Sequence, residues 1–156
     1  HLIDLIPFND LSDDALSVLV DILNQDVALN AWLGASMAQP LTLETFKRTG
    51  AEWQRSRDAV TYCIWIDHPV GTISLSHRTA EGQARIGYWV ASREWGKGIG
   101  TQAFAQVLEI ARQEGIRQVS ATVARNNTAS LRLWQRYGAL EEPTAEELVH
   151  VHLFLE

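Results

Sequence analysis

Glu94-Trp95-Gly96-Lys97-Gly98-Ile99-Gly100-Thr101 is the stretch that decides the fold. Three glycines at every second position permit positive φ and a close approach of the backbone to another group. The stretch runs directly into an amphipathic helix with Phe104, Val107, Leu108 and Ala111 as its apolar stripe, and Gly115 is placed to end it. A helix start leaves its first amides without intrahelical partners, and the macrodipole adds positive potential there. A glycine loop feeding such a start suits a phosphate or pyrophosphate, and Lys97 adds a cation. The plainer alternative is a strand-to-helix turn with spare glycines. No GxxxxGK[ST] string exists, and Gly96-x-Gly98-x-Gly100 is not the GxGxxG spacing of a dinucleotide fingerprint.

Working outward, Val60–Ile66, Gly71–Ser76 and Ala84–Val90 are rich in β-branched and aromatic residues and joined by short turns, which predicts an antiparallel meander. On the last of these, Ile86, Tyr88 and Val90 share one face and Trp89 lies on the other. After the loop and its helix, Gln118–Ala124 reads as a strand, Asn127 opens a helix that Gly138 stops, and Leu148–Leu155 alternates as a final strand. A strand–helix–strand unit favours parallel pairing of its strands. Towards the N-terminus, Leu2–Ile6 forms a strand, Ser12 caps a helix carrying Leu16, Leu19, Val20 and Leu23, and Thr42 caps another with Leu43, Phe46, Gly50 and Trp53 on one face. The stretch Asp26–Pro40 reads as irregular but apolar.

The 156 residues are expected to form one domain over 1–156. Apolar residues make up 46% and charged residues 21%, which argues against disorder. No apolar run is long enough to span a membrane, and the first residues show no signal-peptide pattern. Cys63, the single cysteine, excludes an internal disulfide and a multi-cysteine zinc site, and a reducing cytoplasm is the expected compartment. His150 and His152 have the spacing of some metal pairs, but without further ligands no metal is expected. The net charge of −6 argues against nucleic acid as a partner. It is unevenly spread: Arg78–Arg136 holds 9 Lys/Arg against 4 Asp/Glu, a net of +5, and the remainder carries −11. The basic half suits an anionic ligand and the acidic remainder a cationic one.

The order and spacing of Ile86-Gly87-Tyr88-Trp89-Val90, the glycine loop, Asn127-Thr128-Ala129-Ser130-Leu131-Arg132-Leu133-Trp134 and Gly138 resemble the GNAT acetyltransferase superfamily. The loop resembles its [QR]-x-x-G-x-[GA] acyl-CoA motif, with Trp95 where many members carry Arg or Gln. That Trp and the Asn-x-x-Ser signature are similar to the RimJ/RimL-type ribosomal-protein N-terminal acetyltransferases. The resemblance implies an α/β (α+β) GNAT fold: a mixed, largely antiparallel sheet of six or seven strands with helices on both faces. It implies acetyl-CoA as co-substrate, no metal, and direct attack by a primary amine, a protein N-terminus or a small amine, in a ternary complex. Backbone groups of Val90 and Ala91 would pair with the pantetheine arm, and the Val90 amide would serve as oxyanion donor. Trp95, Gly96, Lys97, Gly98, Ile99, Gly100 and Thr101 would hold the cofactor's pyrophosphate end, and Asn127 its arm. Trp89, Trp95 and Trp134 would form a cofactor wall.

Two departures matter. Where many members carry a tyrosine as thiol-side acid, this chain has Trp134, whose indole is no practical acid. Ser130 is the candidate substitute, with helix capping as its alternative role. No general base is evident. His77, Glu141, Glu142 or a water chain are the candidates, and Arg85 lies near where some relatives carry a strand carboxylate. Tyr88 either orients substrate or is a half-buried strand residue. Trp32, with Leu33 and Met37, lies where relatives form the acceptor wall. The rival reading is a non-catalytic acyl-CoA-binding sensor or scaffold, and a nucleotide-phosphate binder is a third. The apolar final strand allows a homodimer.

Overall fold

The computed structural model describes residues 2–33, 40–144 and 147–156. The strands are β1 (Asp4–Pro7), β2 (Val60–Ile66), β3 (His68–Ser76), β4 (Gln83–Val90), β5 (Gln118–Ala124), β6 (Leu140–Pro143) and β7 (Leu148–Phe154). The helices are α1 (Asp13–Gln25), α2 (Val27–Leu33), α3 (Leu43–Ser56), α4 (Ile99–Gln113) and α5 (Thr128–Arg136). The strands form one sheet in the order β1-β2-β3-β4-β5-β7-β6. Every pair is antiparallel except β4–β5, the two strands joined through α4. This is the mixed, largely antiparallel sheet that the sequence predicts.

Period-two alternation sends the sheet's side chains to two different partners. Ile64, Ile73, Leu75, Ile86, Val119 and Val151 share one core with Phe104, Val107, Leu108 and Trp134, from α4 and α5. On the opposite face α1 packs on β3 and on α3. The helix starts follow the caps read from sequence: Ser12 accepts from the Ala15 amide at 3.1 Å and Thr42 from the Thr45 amide at 3.1 Å. Helix α3 continues through Gly50, where the ring of Phe8 rests: a Cβ there would meet it at 2.7 Å.

The stretch Asp26–Pro40 is not irregular throughout. Asp26 caps α2, its Oδ1 accepting from the Leu29 amide at 3.1 Å, and this short capped helix follows α1 with only Asp26 between. Met37, expected on the acceptor wall, lies outside the described residues. Strand β6 has no apolar alternation to announce it; Leu-Glu-Glu-Pro is exposed throughout, as suits a short edge.

Gly71 of β3 lies directly opposite Val90. A Cβ on Gly71 would fall 2.1 Å from the Trp89 carbonyl oxygen, so the two backbones approach more closely than any side chain allows. Gly71→Ala is expected to shift this pairing and destabilise the protein by about 2–3 kcal/mol. Urea unfolding checks it, and an unchanged midpoint would refute the close approach.

Candidate functional site

The site begins with a failure of pairing. β4 and β5 are in register only at Gln83↔Gln118, Ala84↔Val119 and Arg85↔Ser120. Both strands continue, β4 to Val90 and β5 to Ala124, but apart. The Ala91 amide donates to the Val70 carbonyl at 2.8 Å, which fixes the alternation along β4. Residues 85, 87, 89 and 91 turn their peptide groups to β3, while Ile86, Tyr88 and Val90 turn theirs to the gap. The Val90 carbonyl there accepts the Trp95 indole N–H at 2.8 Å, leaving the Val90 amide facing the gap. Ala91 has neither backbone group to offer, because its carbonyl accepts from the Glu94 amide at 2.9 Å. The expectation of strand-like pairing by Ala91 is therefore corrected.

At the gap's wide end the chain turns into α4. Gly96 and Gly98 both have φ of +78°, a region costly for residues with a Cβ. Gly98 is the N-cap residue and supplies no side-chain oxygen, so no side chain of the cap residue blocks the amides of Ile99, Gly100 and Thr101. Gly100 has a different reason for being glycine. A Cβ there would lie 3.3 Å from the Tyr88 ring, so Gly100 makes room for that ring. Lys97 is not a free cation: its Nζ lies 3.1 Å from Glu94 Oε1.

Helix α5 adds the gap's other wall. The Asn127 Oδ1 accepts from the Ser130 amide at 3.2 Å, which spends that oxygen on the cap and leaves the Nδ2 group as its donor. Ser130 is buried, and its hydroxyl interacts with the Tyr88 phenol so as to lower the phenol's pKa. Burial raises the Tyr88 pKa, only partly offset by Ser130, so the phenol keeps its proton at neutral pH. This Tyr88–Ser130 pair links β4 to α5 across the gap. Sequence reasoning weighed the two residues separately and had no signal for their contact.

Trp134 is only 1% exposed and packs edge-on against Phe104 at 4.9 Å, so it belongs to the core rather than to a cofactor wall. Trp89 points to the other face of the sheet, where it packs with Ile22 and Leu29. Of the three tryptophans expected along the cofactor, Trp95 alone borders the loop. Trp32, 48% exposed, meets Trp95 edge-on at 6.3 Å.

Behind the gap, on the face of α1 and α3, lies a groove of about 490 Å³. Tyr88, Trp89, Arg85, His77, Trp53 and Leu33 are among its lining residues. The base candidates are poorly placed for direct proton transfer. His77 follows Ser76, the partner of Arg85, and so lies about six strand residues, ~20 Å, from the level of Val90. Glu141 accepts from Gln135 at 2.8 Å, and Glu142 lies 3.9 Å from His152. Both glutamates are on β6, three strand spacings or roughly 14 Å from β4. Cys63 is fully buried, which pushes its thiol up to about 12. His150 and His152 stack on one another, and no three candidate ligands converge among the described residues.

One residue missed in the sequence ties the groove to the loop. Asp26 caps α2 and also accepts from Ser92, from its amide at 2.7 Å and its hydroxyl at 2.7 Å. Ser92 begins the turn between β4 and the glycines. Its only sequence signal is an Asp three residues before Leu29.

Residues 5–140 match the family described as acetyltransferase (GNAT) domain. No curated protein sequence matches the chain. Among solved structures, the fold is similar to a probable acetyltransferase at 25% identity, over 99% of this chain and 93% of that one, with a TM-score of 0.79. It is similar to Mycobacterium smegmatis RimJ in complex with CoA-disulfide at 22% identity, over 97% and 81%, TM-score 0.79. It also resembles the Vibrio cholerae spermidine N-acetyltransferase in complex with CoA and spermine, at 12% identity over 97% and 95%, TM-score 0.79.

Partial burial raises the Asp26 carboxyl, but the bonds from Ser92 and Leu29, with Arg93 nearby, outweigh it and hold the pKa below its ordinary value. The stabilisation is therefore present above the unfolded pKa near ~3.9 and lost as pH falls through the folded one. Asp26→Ala is expected to cost about 1–2 kcal/mol at pH 7. Denaturation at several pH values should show that difference shrinking below about pH 4, and a constant difference down to acid pH would refute the assignment.

Proposed function

The chain belongs to the GNAT acetyltransferase family, and from that premise we propose that it moves the acetyl group of acetyl-CoA to a primary amine by direct attack within a ternary complex. The observation that carries this reading is the β4–β5 gap. It adjoins an uncapped glycine-loop helix start and an acceptor-sized groove, with the Val90 amide facing into it.

In this reading the pantetheine arm lies in the gap. The amides from Gly96 to Thr101 receive the pyrophosphate, in a half of the chain that carries a net +5. Asn127 donates to the arm through Nδ2. The amine enters from the groove and loses its proton to water there. Its nitrogen attacks the thioester carbon, and the Val90 amide hydrogen-bonds the resulting oxyanion. The C–S bond then breaks, the thiolate takes a proton from the Ser130 hydroxyl, and the acylated nitrogen releases its second proton to water. The Tyr88 phenol, protonated at neutral pH, replenishes that hydroxyl and is itself reprotonated from water. Trp134 takes no part, because it is sealed in the core.

The test measures CoA thiol release against N-terminal peptides, polyamines and aminoglycosides. Ser130→Ala is expected to lower kcat by about 10–100-fold, modest for a general acid because a thiolate leaves readily. The KM for acetyl-CoA should stay within about twofold, since uniform binding is untouched. Trp134→Tyr should restore nothing in that background. Saturating acetyl-CoA at 100 times its dissociation constant should stabilise the fold by ~2.7 kcal/mol. Such stabilisation without turnover of any amine would favour the non-catalytic acyl-CoA sensor instead.

A further inference from the structure

The proposed chemistry leaves the floor of the groove unused, and a role for that floor rests on the acetyl-transfer reading. Alternation places Arg85, Gly87 and Trp89 on the groove side of β4. The Arg85 side chain makes no ion pair or hydrogen bond with any described residue, although it lines a concave surface. Among the described residues no carboxylate lines that groove. The acidity of the chain outside Arg78–Arg136 is therefore not gathered here, and the expectation of a cationic acceptor finds no counterpart in the groove.

Gly87 is a second and independent observation. It is not among the positive-φ glycines, and a Cβ built on it meets nothing within 4 Å. Neither backbone strain nor a neighbouring atom requires glycine at this point, and a β-branched residue would serve the strand better. What glycine provides is open floor between a guanidinium and an indole. Beside Arg85, the Ser76 hydroxyl and His77 Nδ1 are bonded at 2.8 Å. Burial, then Arg85 and Arg57, push the His77 pKa down, so the positive charge near this end is that of the two arginines, of which Arg85 lines the groove.

We propose that the acceptor is a primary amine with an oxyanion at its other end, lying over Gly87 with the oxyanion on Arg85 and the amine toward Val90. A guanidinium is suited to this task because its planar N–H donors match a carboxylate or a phosphate. Five residues of strand, roughly 17 Å, separate the levels of Arg85 and Val90. The two ends of the acceptor are therefore held apart by an extended body, and the rings of Trp53 and Trp89 beside the floor suit an apolar or planar one.

The test uses the full chain saturated with acetyl-CoA and a matched acceptor set: a pentapeptide with a free carboxylate, which spans about 17 Å when extended, its C-terminal amide, a phosphate-bearing counterpart, and spermidine. The expected kcat/KM is at least tenfold higher for the carboxylate than for the amide, with spermidine poorest. Arg85→Gln should remove that preference by lowering the carboxylate's value alone, and Arg85→Lys should restore part of it. The dissociation constant of acetyl-CoA should be unchanged in both. Gly87→Val should fold, bind acetyl-CoA as before, and raise the acceptor KM at least tenfold. A phosphate preferred over the carboxylate supports the same site and identifies the oxyanion. Equal use of carboxylate and amide, or an Arg85→Gln protein that keeps the preference, overturns the proposal while leaving acetyl transfer intact. Calorimetric binding of the anionic amine that Arg85→Gln abolishes, without turnover, supports the groove assignment and overturns acetyl transfer.

Discussion

Every second peptide group of β4 is turned away from β3, and the rest of the structure depends on what those groups do. At Arg85 the ladder to β5 is still made; beyond it the two strands part. A sheet interior seldom tolerates this, because unpaired backbone groups out of reach of water are costly. The protein meets that cost in part by internal means. Gly71 lets β3 press close to the far end of β4, Trp95 returns to the Val90 carbonyl, and Tyr88 fills the space above Gly100. The gap is thereby held open by packing on both sides rather than left to collapse.

The elements that build this frame were legible because each has a local signature. Ser12, Thr42 and Asn127 cap helices as their side chains dictate, and alternation assigns Ile73 and Leu75 of β3 and Ile86, Tyr88, Trp89 and Val90 of β4 to the faces they occupy. The glycine loop was legible as a backbone requirement at Gly96 and Gly98. What escaped was anything decided by contacts distant in sequence. Gly100 looks like the third member of a repeating motif, yet its place is set by a ring on β4. Lys97 looks like a free charge until Glu94 is seen beside it. Trp134 occupies a functional position in the resemblance and a core position in the fold. The partnership of Tyr88 with Ser130 spans more than forty residues of chain, and no pattern within either segment announces it.

The same distinction applies to charge. Summed along the chain, the numbers suggest a basic cofactor half and an acidic acceptor half. In three dimensions the groove mixes aromatic rings, hydroxyls and one guanidinium, and no acidic residue among those described lines it. Net charge by segment describes long-range potential and says little about which side chain lines a surface. Asp26 shows the point from the other side. It is one acidic residue among nineteen, yet it connects the start of α2 to the turn leading into the loop, so that the rim of the groove and the approach to the glycines are fastened to one another.

The indole of Trp95 has an effect beyond closing a hydrogen bond. A strand edge ordinarily presents donors and acceptors in alternation, and a ligand beside it meets both signs. With its carbonyl already holding one donor, Val90 presents mainly one sign to the gap, the fixed partial positive charge of its amide. An electron-rich atom there is drawn to the amide, with the repulsion from the neighbouring oxygen muted. A field of this kind, set in place before any ligand arrives, needs no reorganisation when negative charge develops, and each ~1.4 kcal/mol so retained is a tenfold change in rate.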